Sequence, residues 1–202
     1  MKRYERYKDS GVQWIGEIPE HWECAYLKRI LSEKMQYDAN EPAESNNPEY
    51  PRYIRITDIA TNGELKECTF KSLEPQKAKD FLLKKGDILF ARSGATVGKT
   101  FLFNSNIDAC YAGYLIKASC NREKMRPTFL YYYTQSSAYE YWKNSTFIQA
   151  TIQNIGADKY QMMFVPIPTI PEQNAIVGYL KDKTLKIDQY VAARERESCL
   201  TA

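Results

Sequence analysis

The chain has a single histidine, His21, and no Cys-x-x-Cys pair among its five scattered cysteines, Cys24, Cys68, Cys110, Cys120 and Cys199. These shortages exclude a good deal of chemistry. One isolated imidazole cannot complete a Ser/His/Asp or Cys/His nucleophilic set, and no His-rich or carboxylate-rich spacing supplies metal ligands. An odd number of cysteines without pairing logic reads as reduced structural thiols. Long apolar runs and a signal-peptide pattern are both missing, so a cytoplasmic protein without membrane contact is expected. Charge of one sign is scarce too: 28 Lys and Arg against 25 Asp and Glu leave a net +3. That excludes a histone-like polycation but not a local basic patch, because steering depends on where the charge lies.

Tyrosine, by contrast, is abundant, with 16 in a chain whose aromatic fraction is 13%. Its apolar ring and polar tip suit a broad, partly wet interface, although core and half-buried strand positions account for most of such residues. The 44% hydrophobic and 26% charged fractions are those of an ordinary globular protein. At 202 residues the chain can build one well-buried domain plus an appendage.

Residues 1–23 carry Trp14 and Trp22 around a turn-rich Ile15-Gly16-Glu17-Ile18-Pro19, and read as an ordered arm whose indoles dock on the body. A polar, proline-interrupted loop is expected over 32–50. Arg52 to Ile56 alternates as a strand, and 76–84 suits a short helix. Lys85-Gly86-Asp87 turns into a strand at 88–92, which a loop at 93–99 joins to a second strand at 100–103. Ala109 to Ala118 reads as one apolar strand. Pro127 is well placed early in a helix over 128–142. The polar stretch 144–157 precedes a last strand at Val165-Pro166-Ile167-Pro168, and no internal repeat is visible.

The chain closes on a long helix. Thr169 and Glu172 have capping-box spacing, which predicts that hydroxyl and carboxylate satisfy first-turn amides. Val177, Leu180, Thr184, Ile187 and Val191 then recur three and four residues apart, the spacing of a coiled-coil seam about four heptads long. The expected class is α+β: a globular domain of mixed strands and short helices over 1–168, then a spacer or dimerisation helix over 169–202.

Gly94-Ala95-Thr96-Val97-Gly98-Lys99-Thr100 superficially suggests a phosphate loop. It has three residues between its glycines where that motif needs four, and it leads into a strand instead of a helix. A strand–loop–strand hairpin fits better. Arg92, Ser93, Gly94, Thr96 and Lys99 cluster on that loop, and Arg52, Gln149, Thr151, Gln153 and Asn154 add cations and amides of the kind that contact phosphates and base edges. A solvated hairpin with incidental charge is the competing reading.

Three blocks together resemble the specificity subunits of type I restriction-modification systems. The stretch from Tyr7-Lys8-Asp9-Ser10-Gly11 to Glu20-His21-Trp22 is similar to their opening. Gly86-Asp87-Ile88-Leu89-Phe90-Ala91-Arg92-Ser93-Gly94 is similar to the central hairpin of their target recognition domains. Gln153-Asn154-Ile155 and Val165-Pro166-Ile167-Pro168 through Pro171-Glu172-Gln173 resemble the junction with the conserved helix. The resemblance implies a non-catalytic reader of one half of a split double-stranded DNA target. Its implied partners are adenine-methylating modification subunits and, through them, the restriction subunit. S-adenosylmethionine and ATP would belong to those partners, leaving no cofactor for this chain. The familiar subunit has two recognition domains and two helices, whereas one of each is seen here. A homodimer, pairing with a second half-subunit, and a truncated or silent fragment that only binds protein are the readings that follow. A nucleotide-binding enzyme, requiring ATP held by Lys99, is the reading from another class.

Overall fold

The computed structural model describes residues 4–37, 40–42, 44–60, 63–148 and 154–200. Ten strands occur among them: β1 (Tyr7–Asp9), β2 (Glu17–Pro19), β3 (Glu23–Tyr26), β4 (Gln36–Tyr37), β5 (Arg52–Ile54), β6 (Ile88–Ala91), β7 (Thr100–Leu102), β8 (Ala109–Tyr111), β9 (Leu115–Ala118) and β10 (Phe164–Ile167). The helices are α1 (Pro75–Ala78), α2 (Pro127–Tyr133), α3 (Ser137–Ile148), α4 (Ala157–Gln161) and α5 (Ile170–Leu200). The architecture is α+β, with a long C-terminal helix.

An antiparallel sheet in the order β4-β9-β6-β7 forms the centre. All four residues of β6 are buried, as expected of a strand covered on both faces. Its alternation sorts side chains between two cores. Ile88 and Phe90 join Ile116, Leu130, Trp142, Tyr160 and Val165 on the helical side. Leu89 and Ala91 join Ile54, Phe101, Tyr111 and Leu115 on the other. Burying each large apolar side chain contributes about 1.5–3 kcal/mol, so this strand anchors both layers.

The anticipated β6–β7 hairpin is present, with Ile88 opposite Leu102 and Phe90 opposite Thr100. Gly86 turns the chain into it at φ +103°, and an added Cβ there would press on Pro127 and the Arg122 guanidinium. The run 109–118 is two strands, not one. β8 pairs in parallel with β5 in the outer layer, whereas β9 joins β6, so the chain must turn between them. The strand beginning at Arg52 stops at Ile54, because the Asp58 carboxylate takes the Arg55 amide at 2.9 Å and its guanidinium at 2.7 Å, winding the chain into a turn.

The helix expected over 128–142 is broken. Buried Thr134 turns its hydroxyl to the Tyr131 carbonyl at 2.7 Å and to Thr100 Oγ1 at 2.7 Å. Ser136 Oγ then accepts from the Tyr139 amide, capping α3. The capping box on α5 is half formed. The Glu172 carboxylate accepts from the Thr169 amide at 2.9 Å, but the Thr169 hydroxyl donates to Glu172 instead of accepting from the helix.

The arm docks as its indoles predict: Trp14 packs against the main core and stacks on Tyr141, and Trp22 is half-buried. Burial pushes the Cys24 thiol up to about 11 and those of Cys110 and Cys120 to about 12, so they remain protonated. The cysteines whose side chains are described are unpaired. No helix among the described residues is long and apolar enough to cross a membrane.

Candidate nucleic-acid interface

The loop between β6 and β7 is tied down by its carbonyls. Buried Tyr160 donates to the Ala91 carbonyl at 2.7 Å, and buried Tyr139 to the Gly98 carbonyl at 2.6 Å. Gly98 adopts φ +82°, and a Cβ there would lie 2.2 Å from Lys143 Cδ. Glycine suits this left-handed position, where any side chain would be strained and would also displace Lys143. Two phenols on different helices thus fix both ends of a turn whose sequence is itself polar. Tyr160→Phe removes one of two donors to the Ala91 carbonyl, which keeps the Gly98 amide at 2.9 Å, and is expected to cost about 0.5–1.5 kcal/mol. Urea unfolding, compared with the wild type, measures it.

Arg92 leaves β6 at this turn. Its amide donates to the Tyr114 carbonyl at 2.8 Å, and its carbonyl accepts from Ile155 N–H at 2.8 Å. The guanidinium lies over the rings of Tyr37, 5.3 Å from the centroid, and Tyr114, 5.8 Å away. Each ring is held. The Tyr37 hydroxyl accepts from the Ala157 amide at the start of α4, 3.0 Å away. Tyr114, 61% exposed, is a non-glycine residue at φ +73°, a strained conformation of the kind that accumulates at functional sites. No acceptor among the described residues meets the guanidinium, and Arg92 Nε is buried without a hydrogen-bond partner. A cation therefore lies beside two aromatic rings without an ion pair among the described residues.

Ser93 forms a β-bridge with Asn154, bringing together two predicted site residues remote in sequence. Gly94 is exposed, and Ser93 and Thr96 are half-exposed. Lys99 is exposed but opens elsewhere, onto a cavity of about 330 Å³ lined with Ile56, Tyr131, Gln135 and Lys143. Gln149, Thr151 and Gln153 lie outside the described residues. Arg52 is a correction. It is 5% exposed, with its guanidinium on Glu67 Oε1 at 2.8 Å and on the Lys66 carbonyl at 2.7 Å. It pins the 66–70 segment and is not available to a ligand.

Sequence reasoning missed both walls of the Arg92 cage. The signal for Tyr114 was Gly113 inside an apolar run, which marks a turn. Tyr37 gave no signal, since nothing near it pointed to a position 55 residues farther along the chain. No group of three or more His, Cys, Asp or Glu able to hold a metal occurs among the described residues.

The family model for the type I restriction modification DNA specificity domain matches residues 19–189. The chain belongs to this family. It is similar, at 28% identity over 190 residues, to a specificity subunit assigned to the type I restriction enzyme MjaX of Methanocaldococcus jannaschii. That match takes in 87% of this chain and 43% of the relative. The fold matches the HsdS subunit of Thermoanaerobacter tengcongensis with a TM-score of 0.70 at 18% identity, over 89% of this chain and 46% of that one. The type I S subunit from M. genitalium matches with a TM-score of 0.56 at 18% identity, over 85% and 41%. The chain thus spans less than half the length of these relatives. Specificity subunits are the non-catalytic DNA-recognition components of type I systems, and one recognition domain of that kind is present here.

On the specificity-domain helix, the expected seam divides. Val177 packs on the body and Leu180 is half-buried, while every residue from Lys181 to Val191 is exposed. Thr184, Ile187 and Val191 face solvent, Ile187 at 61% exposure.

Proposed function

We propose that this chain reads one half of a split double-stranded DNA target and directs adenine methylation, and through it restriction, by partner subunits. The observation that carries this reading is Arg92, whose guanidinium lies 5.3 Å from the Tyr37 ring and 5.8 Å from the Tyr114 ring with no ion pair among the described residues, beside the bridged Ser93 and Asn154. A planar guanidinium fork suits two adjacent acceptors, either the O6/N7 edge of guanine or a phosphate. Family membership supports DNA as the source of those acceptors. The exposed stripe Thr184, Ile187 and Val191 supports pairing with a second helix, from another copy or a second half-subunit, and docking of modification subunits. The globular domain is read as ending at 168, with the spacer helix following, and the complex as acting in the cytoplasm.

Methylome sequencing of cells that carry this chain with its cognate methyltransferase subunit tests the reading. A split motif bearing methyladenine is expected, symmetric if two copies pair. A methyltransferase that co-purifies with the chain while no motif is methylated would reduce it to a protein-interaction piece.

A further inference from the structure

Two adjacent side chains at the start of α5 grip the body in different directions. Gln173 is fully buried. Its Oε1 accepts from the Arg126 amide at 2.7 Å, and its Nε2 donates to the Lys124 and Pro168 carbonyls, both at 2.9 Å. Every polar atom of that amide is thereby used, two bonds reaching the segment that leads into α2 and one the Pro168 carbonyl just before α5. Glu172 holds the N-terminal arm. Its Oε1 accepts from the His21 ring at 2.8 Å and from the Trp22 indole at 3.1 Å, and its Oε2 from Thr169. Neighbouring helix positions project about 100° apart, so the two grips cannot relax by a single rotation. Beyond Lys181 no such restraint is present among the described side chains, up to Val191, which are all exposed.

We infer that Glu172 and Gln173 are positioning residues that fix the exit direction of α5 and thereby the separation of the two DNA half-sites. The inference rests on the DNA reading above. Its leverage is geometric. From Gln173 to Val191 the helix runs about 27 Å, so a swing of about 10° at its root moves Val191 by about 5 Å. One base pair of extra spacing moves a half-site by only about 3.4 Å and turns it by about 35°. Spacing fidelity therefore needs a root that is held from more than one side.

The test uses the full chain with its methyltransferase subunit and a DNA library of split targets whose spacers differ by single base pairs. Wild type is expected to methylate one spacing, and Gln173→Ala to accept spacers one base pair longer and shorter within a few-fold of the best. Trp22→Phe removes the indole donor to Glu172 while keeping an aromatic ring beside Tyr4, and serves as the milder variant should Gln173→Ala fail to fold. Its expected result is the same broadening to a smaller degree. Spin labels on non-natural amino acids at Lys79 and Lys186 read the helix direction without DNA, and a widened distance distribution is expected in either variant. Unchanged distances, or widened distances with unchanged spacer preference, overturn the inference. A wild-type chain that methylates no split site overturns the DNA reading instead, and the distances then decide the clamp alone.

Discussion

Arg92→Ala is expected to weaken half-site binding by about 1–3 kcal/mol, roughly 5- to 150-fold, while leaving the fold intact. The fold survives because the guanidinium donates to no described group, so its removal orphans nothing, while Tyr37 keeps the Ala157 amide on its hydroxyl and the Tyr114 carbonyl keeps the backbone amide of residue 92. Arg92→Lys is expected to recover little. A compact ammonium on a flexible stem neither stacks as a plane nor reaches two acceptors at once. Fluorescence anisotropy on short duplexes across a salt series separates the two acceptor sources. A base contact predicts loss confined to the cognate sequence with an unchanged salt slope. A phosphate contact predicts uniform loss and a slope shallower by about one. Wild-type affinity in both variants would remove Arg92 from the interface.

The second large effect is expected at the free end of α5. Ile187→Asp together with Val191→Asp puts two carboxylates on the exposed stripe. Each apolar side chain that a partner helix covers contributes about 1.5–3 kcal/mol, and burying an unpaired charge costs more. Assembly, followed by sedimentation and by co-purification with the methyltransferase subunit, is expected to fall at least tenfold. Half-site affinity and thermal stability are expected to stay at wild-type values, since both positions already lie in solvent. A variant that still assembles would mean the stripe is an ordinary solvated face.

A smaller effect follows from Glu172. Partial burial acts to raise its pKa, but hydrogen bonds from Thr169, His21 and Trp22 outweigh that and hold it down at about 2. A depressed folded-state carboxylate stabilises the fold above its ordinary value near 4.5, and that contribution is lost as pH falls toward 2. The stability difference between wild type and Glu172→Gln, of order 1–3 kcal/mol near neutrality, is thus expected to shrink between pH 4.5 and pH 2. Urea titrations at stepped pH measure it, and a constant difference would mean that Glu172 is not charged in the clamp.

Legibility from sequence followed how local the governing interactions are. The Gly86-Asp87 turn, the apolar strand after it and the hairpin to Thr100 all depend on residues within a few positions, and all were readable. So were the docked arm, from its tryptophans, and the last strand leading into a long helix. Failures came where a segment's two halves serve different layers, as in 109–118, or where a buried hydroxyl ends a helix, as Thr134 does. Arg52 misled because charge in a sequence suggests exposure, whereas Glu67 and the Lys66 carbonyl compensate its burial.

The amino-acid order by itself determined the class of the fold, its central hairpin and the long closing helix. It did so because period, turn chemistry and motif spacing are local properties. Tertiary structure alone decided which cations are free and which are spent. Arg52 was drawn inside, Arg92 was caged by rings from β4 and from the turn before β9, and Gln173 was fastened to three backbone groups. A buried polar group settles wherever chain closure brings it partners, and those partners come from segments whose proximity no sequence spacing records.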